Sequence, residues 1–318
     1  MSVKQPTIRQ LQLVQALARY QSLSVVAEKL FISQPSVSIQ LKNLSDLLGL
    51  PVYQMRGRVV ELTDAGQAVL RSANQIFQSL DNLKTDIDNL QGVVTGTLTI
   101  AVVTTAQYFL PLLLAAFTQR HPQVEVKLEI GNRDTVHARL RDNSDDFYLF
   151  SQIPTGVEVL ESPFLTNELV VVAPERHELA QQENISLARL SHYPFILREA
   201  GSGTREAAIN LFNFHGFKLN EKMTIASSEA IKQAVSAGLG LSILSRYSVD
   251  FGLVPGIKIL PVEHFPIKNK WRLVQRSSRK PSLTAKAFQQ FMLDNGAKIL
   301  AKAKKDITST NSTLPLLY

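Results

Sequence analysis

Two stretches of this 318-residue chain gather groups suited to holding an anion. In the first, the apolar run Pro194–Leu197 leads into Arg198, and Ser202-Gly203-Thr204-Arg205 then opens a helical segment. Unpaired N–H groups and the positive dipole end of such a helix attract negative charge. Flanking hydroxyls and guanidinium groups add directed hydrogen bonds to phosphate or carboxylate oxygens. Thr104-Thr105 repeats the arrangement after the β-rich run Thr97–Val103, and Gln152, just past the run Phe147–Ser151, is a further lining candidate. Gly201–Arg205 lacks the spacing and the lysine of a nucleotide-binding P-loop. On spacing alone, a capped helix behind a flexible loop explains these residues equally well. Ser227-Ser228 ahead of Glu229 reads as a capping pair.

A third set suits the edges of bases. Ser33 is placed to cap a helix with Pro35 in its first turn, and Val37, Leu41, Leu44 and Leu48 form one apolar stripe. The opposite face presents Gln34, Pro35, Ser36, Ser38, Ile39 and Lys42, small and hydrogen-bonding groups of the kind a major-groove helix needs. An ordinary amphipathic surface helix would carry the same stripe. The context favours DNA: Val26, Ala27, Leu30 and Ile32 supply a preceding short helix and turn, with Ala27 small where two helices cross. Beyond Gly49-Leu50-Pro51, two short β-type runs flank Met55-Arg56-Gly57-Arg58, a wing whose tip offers Arg56 and Arg58 to phosphates or a minor groove. Up to residue 63 there are seven basic residues against three acidic ones, within a net charge of +7 for the chain.

These groups need elements to carry them. Val69, Ala73, Ile76, Leu80, Leu83, Ile87 and Leu90 alternate steps of four and three, an a/d seam that predicts pairing with a second copy. The spacing divides the chain into 1–63, a winged helix-turn-helix; 64–91, a linker and dimerisation helix; and 92–300, an α/β effector-binding domain. Within the last, lobe I covers about 96–163 and 267–300 and lobe II about 164–266. Residues 301–318 carry no periodic pattern and are expected to be disordered, with Lys298, Lys302, Lys304 and Lys305 marking a helix end.

The chain has no cysteine, which excludes disulfides, thiolate zinc sites and cysteine nucleophiles. Its N-terminus is polar and its longest apolar stretches, such as Phe109–Phe117, fall short of a membrane span, so a soluble cytoplasmic protein with no membrane partner is expected. The six histidines are scattered, and neither HExxH nor GxSxG occurs. No catalytic residue, metal site or cofactor is expected, and an enzyme is disfavoured. A free solute-binding protein would share the two lobes but not the 91 residues before them.

Taken together, TIRQLQLVQALARYQSLSVVAEKLFISQPSVSIQLKNLSDLLGLPVYQMRGRVVELTDAGQAVL and the order of parts behind it resemble the LysR-type transcriptional regulators over residues 6–300. The resemblance implies an all-α winged helix-turn-helix, a coiled-coil linker helix and a two-subdomain effector domain like a periplasmic binding protein. It also implies operator DNA, a second copy or a dimer of dimers, and RNA polymerase as partners. Many members carry Arg where Ile39 stands, so contact with a thymine methyl replaces a guanine contact here. The usual FTRAAEEL is LSVVAEKL, which keeps Ala27 and loses a basic residue. Leu197–Arg205, Ser228–Val235 and Gly238-Leu239-Gly240 resemble the branch controlling carbon fixation and inorganic-carbon uptake, and Asp145–Tyr148, Pro163-Phe164-Leu165 and Asn167–Ala173 look closest to its cyanobacterial members. An effector that is a phosphorylated or carboxylated metabolite is implied, bound by Thr104, Thr105, Gln152, Arg198, Ser202, Gly203, Thr204 and Arg205. A LysR-type regulator of another pathway remains the alternative.

Overall fold

The structure, a computed structural model, describes residues 5–57, 59–90 and 94–311. The chain divides into two compact units, Met1–Ile87 with Asp142–Ser144, and Asp88–Arg141 with Asp145–Tyr318.

In the first unit, α1 (Ile8–Tyr20), α2 (Leu23–Lys29) and α3 (Gln34–Leu48) precede a wing of β1 (Tyr53–Arg56) and β2 (Val59–Leu62), then the long α4 (Asp64–Leu90). Local chemistry sets each start. Thr7 and Gln10 form a reciprocal capping box on α1, and Ser22 and Ser33 cap α2 and α3 with their side chains. Leu13, Val14, Leu17, Val26, Val37, Leu41 and Leu44 close one core with Val52 and Val60. Leu48, the last residue of α3, departs from the expected burial: it is 40% exposed, half-buried Leu47 packs against the core, and Gly49 ends the helix in the left-handed region at φ 70°. Thr63 starts α4, donating to the Pro51 carbonyl at 2.5 Å while accepting from Gly66 N–H at 3.1 Å. Gly66 is required there, since a Cβ would lie 1.9 Å from the Val52 carbonyl oxygen.

The second unit is built on a nine-stranded mixed sheet. Its elements run β3 (Gly96–Val103), α5 (Leu110–Arg120), β4 (Val124–Gly131), α6 (Arg133–Arg141), β5 (Phe147–Phe150), β6 (Val159–Pro174), α7 (Leu187–Leu190), β7 (Pro194–Leu197) and α8 (Gly203–Phe214). They continue with β8 (Asn220–Thr224), α9 (Ser228–Ser236), β9 (Leu241–Ser245), α10 (Arg246–Asp250), β10 (Ile257–Ile259), β11 (Ile267–Arg276) and α11 (Leu283–Asn311). The strand order is β4-β3-β5-β11-β6-β9-β7-β8, with β10 beside β6. Parallel pairs β3–β4 and β7–β8 head the two lobes, each with helices following its strands.

Two continuous strands carry the chain between the lobes. β6 and β11 pair antiparallel along their lengths, with Lys270 opposite Thr166, Asn269 opposite Asn167 and Lys268 opposite Glu168. Leu165 and Trp271 belong to the lobe I core of Phe109, Phe117, Phe147 and Phe288, whereas Leu169 belongs to the lobe II core of Phe195, Phe212 and Ile243. The lobes therefore divide at 166–168 rather than at 163–164, inside a strand where no turn residue marks the change. The expected tail also needs correction. α11 continues unbroken to Asn311, so residues 301–311 are helical, while 312–318 lie outside the described residues. Leu300 is buried in the lobe I core and Lys304 pairs with Asp250 at 2.7 Å, so the lysines extend the helix instead of ending it. Among the described residues no helix is long and apolar enough to cross a membrane.

Candidate functional site

The N-terminal unit offers a reading face on α3. Val37, Leu41 and Leu44 are buried, which turns Gln34, Pro35, Ser36, Ile39 and Lys42 outward, with Ser38 half-buried at the edge. Ile39 is 57% exposed, an apolar tip in a row of polar ones. Arg56 stands on the wing with a loose 3.8 Å pairing to Glu61 and its side chain 81% exposed, so it is free to reorient toward phosphate. Arg58 lies outside the described residues.

Along α4, Val69 and Leu70 pack against the helix-turn-helix core, Ala73 is fully buried, and Gln15 donates to Asn74 at 2.8 Å. The first third of the expected seam is thus occupied within the chain, because α4 begins against α1. Ile76, Leu80, Leu83, Ile87 and Leu90 remain 40–88% exposed on one stripe. Five large apolar side chains at heptad spacing on a solvent face are what a paired helix buries.

In the second unit a cleft between the lobes collects most of the anion-binding candidates. Thr104, Thr105, Gln152, Arg198, Ser202, Gly203 and Thr204 line one cavity, which encloses about 40 Å³. Each comes from a turn at a strand end. Thr104-Thr105 follows β3 on a 3-10 turn, Thr104–Tyr108, rather than a full helix; Gln152 follows β5; Arg198 follows β7; Ser202 is the residue before α8. The Gly203 position faces Gln152, so that a Cβ would lie 3.3 Å from its side-chain oxygen.

Arg198 is the centre of the cleft. It is 4% exposed, and its guanidinium donates to Thr104 Oγ1 on lobe I at 3.1 Å and to Ser228 Oγ on lobe II at 2.9 Å. Glu199 accepts two more, from Nε and Nη2, in a two-point pair at 2.7 and 2.8 Å. Ser227 caps α9 as expected, but Ser228, 4% exposed, holds Arg198 and so belongs to the site.

Arg205 does not join the cavity lining. It forms a two-point pair with Glu221 at 2.8 Å and donates to the Arg198 carbonyl, bracing the loop from behind. Sequence reasoning missed Arg133 instead, which lines the cavity from lobe I and pairs with Glu206 of lobe II at 2.8 and 3.0 Å. The signal was present: Asn132-Arg133 opens α6 after β4 just as Thr104-Thr105 follows β3, and Asn132 caps Thr135 N–H at 2.8 Å. Buried Asn167 and Trp271 from the crossing strands complete the wall. A further latch joins the lobes outside the cavity, where Tyr108 donates to Glu229 at 3.2 Å and the buried Lys232 ammonium lies 4.9 Å from the Tyr108 ring centroid. Burial holds the Tyr108 phenol protonated, its pKa pushed up to about 12.

Two family models match, the "Bacterial regulatory helix-turn-helix protein, lysR family" over residues 8–67 and the "LysR substrate binding domain" over 91–297. The chain is 42% identical to the HTH-type transcriptional activator CmpR of Synechocystis over 91% of its own length and 96% of that protein. It is 40% identical to a RuBisCO operon transcriptional regulator of Allochromatium vinosum, covering 92% and 97%. Among solved structures, the Synechocystis CcmR regulatory domain in complex with 2-PG matches with 38% identity and a TM-score of 0.60, over 63% of this chain and 96% of that domain.

Proposed function

This chain belongs to the LysR family of bacterial DNA-binding transcriptional regulators, and from that premise we propose that it controls inorganic-carbon assimilation genes in response to a phosphorylated carboxylate held at Arg198. The observation that carries the reading is the place of Arg198: a nearly dry guanidinium with a hydroxyl partner on each lobe, beside the N-terminus of a 12-residue helix. Such a group binds phosphate or carboxylate strongly and reports that binding to both lobes at once. Relatives named for the RuBisCO operon, the similarity to the activator CmpR, and a related domain solved with 2-phosphoglycolate support the metabolic assignment.

At the other end, α3 enters a major groove with Gln34, Pro35, Ser36, Ser38 and Ile39 toward bases, while Lys42, Arg56 and Arg58 serve phosphates. The exposed stripe from Ile76 to Leu90 zips two copies together, so two reading helices address an interrupted palindrome. Effector binding changes lobe closure, and the paired heads then shift on their half-sites. Nothing in this reading calls for a cofactor, a metal or turnover, and the protein works in the cytoplasm beside its operator.

The test is a footprint on promoter fragments of carbon-uptake and carbon-fixation genes, with and without 2-phosphoglycolate. Protection of two half-sites, affinity falling steeply with salt as phosphate neutralisation demands, and an effector-dependent change in the footprint are expected. A footprint indifferent to every phosphorylated or carboxylated metabolite in a panel refutes the effector assignment.

A further inference from the structure

We propose that Glu199 is a built-in competitor for the effector's anionic head, and that it restricts the cleft to two-headed anions; this rests on Arg198 being the anchor. Among the described residues lining the cavity, Glu199 is the one carboxylate, and it holds Arg198 by two hydrogen bonds at 2.7 and 2.8 Å. The neighbouring cations are already matched, Arg133 by Glu206 and Arg205 by Glu221. Without effector the cleft therefore carries no spare positive charge, and the cavity of about 40 Å³ has room for little beyond water. Arg198 is 4% exposed while the Glu199 side chain is 23% exposed. The carboxylate thus sits on the open side of the guanidinium, where a ligand would approach, and it can swing to solvent.

A tethered carboxylate has a high effective concentration at its partner, so an outside anion must bring more than one equivalent contact to displace it. A single-headed anion such as inorganic phosphate exchanges one anion for another on Arg198. A ligand with a second anionic head gains in addition the hydroxyls of Thr104, Thr105 and Thr204 and the backbone N–H groups that open α8. Glu199 thus weakens every anion at Arg198 by the same factor, and an anion whose second head makes these added contacts as the cleft opens is the kind that still binds, with no extra cation required.

Calorimetric titration of the full-length protein with 2-phosphoglycolate and with inorganic phosphate tests it. Wild type should prefer the two-headed ligand by more than about tenfold, and Glu199→Gln should raise the affinity for phosphate and for 2-phosphoglycolate alike, each roughly tenfold, because both anions must displace the same carboxylate. Glu199→Ala, which removes the group altogether, should reproduce the gain for both anions if charge competition is the cause. Unchanged affinity for both anions in both variants overturns the proposal, as does loss of 2-phosphoglycolate binding, which would make Glu199 a ligand contact. If wild type and both variants bind neither anion, the Arg198 assignment itself fails; binding by wild type with unaltered affinities in the variants sinks the Glu199 role alone.

Discussion

Leu83 offers a direct measure of how much self-association depends on α4. It is 57% exposed and contributes little to the fold of its own chain, so truncating it should act almost wholly on the paired state. Fully burying a leucine is worth about 1.5–3 kcal/mol, so covering the exposed half adds about 1–1.5 kcal/mol per copy. A two-fold symmetric pair feels the substitution twice, so Leu83→Ala should weaken association by about 2–3 kcal/mol, roughly 30- to 150-fold in dissociation constant. Leu83→Asp should weaken it further by setting two carboxylates together in an apolar seam. Sedimentation velocity across a dilution series reads the constant, and thermal melting of the dissociated chain should be nearly unchanged. Promoter affinity should fall with the dimer, because one head alone meets one half-site. An association constant within threefold of wild type for Leu83→Asp refutes α4 as the pairing surface.

The other expectations are local. Arg198→Lys keeps the charge but loses the fork that reaches Thr104, Ser228 and Glu199 together, so effector-dependent footprint changes should disappear while promoter affinity without effector stays within about threefold. Gly66→Ala drives a Cβ to 1.9 Å from the Val52 carbonyl and should destabilise the helix-turn-helix by about 1–3 kcal/mol, seen as a lowered melting transition and lost DNA binding. His177 is held below its ordinary pKa of 6.5, chiefly by burial, and its Nδ1 accepts from Leu179 N–H at 3.2 Å, which requires the neutral ring. Its contribution to stability is present above pH 6.5 and is lost as pH falls through the lowered value, so His177→Asn, which caps without titrating, should flatten the acid side of a Tm–pH curve.

The helix-turn-helix was legible because its information is local. Caps at Ser33 and Thr63, the stripe Val37-Leu41-Leu44 and the heptad steps of α4 each lie within a few turns of one another. The strand-end turns that carry Thr104 and Arg198 were legible for the same reason, since a hydroxyl or arginine beside a helix start is a short-range signal. Pairings were not. Nothing in the spacing of Glu199, Glu206 and Glu221 says which arginine each neutralises, and only the fold decides it. That pairing removed Arg205 from the cleft and hid Arg133. The middle of β6 was obscured because Thr166-Asn167-Glu168 breaks its apolar run, and that break is where the strand leaves one core for the other. The extent of α11 was misjudged because its lysines sit at helical spacing on a face whose other side, at Leu300, is buried.

The paired β6 and β11 strands have a mechanical consequence for signalling. A loop joint would let the lobes swing through wide angles at little cost, but a hydrogen-bonded ribbon resists shear and stretching and yields chiefly in torsion, the soft coordinate of a twisted sheet. Ligand binding then acts on a stiff spring: the displacement stays small, and the stored work returns when the effector leaves. Such a device favours a graded, readily reversible readout of metabolite level over a wide clamshell motion, and a substitution at Asn269, opposite Asn167 at the crossing, would change its stiffness without entering the Arg198 cavity.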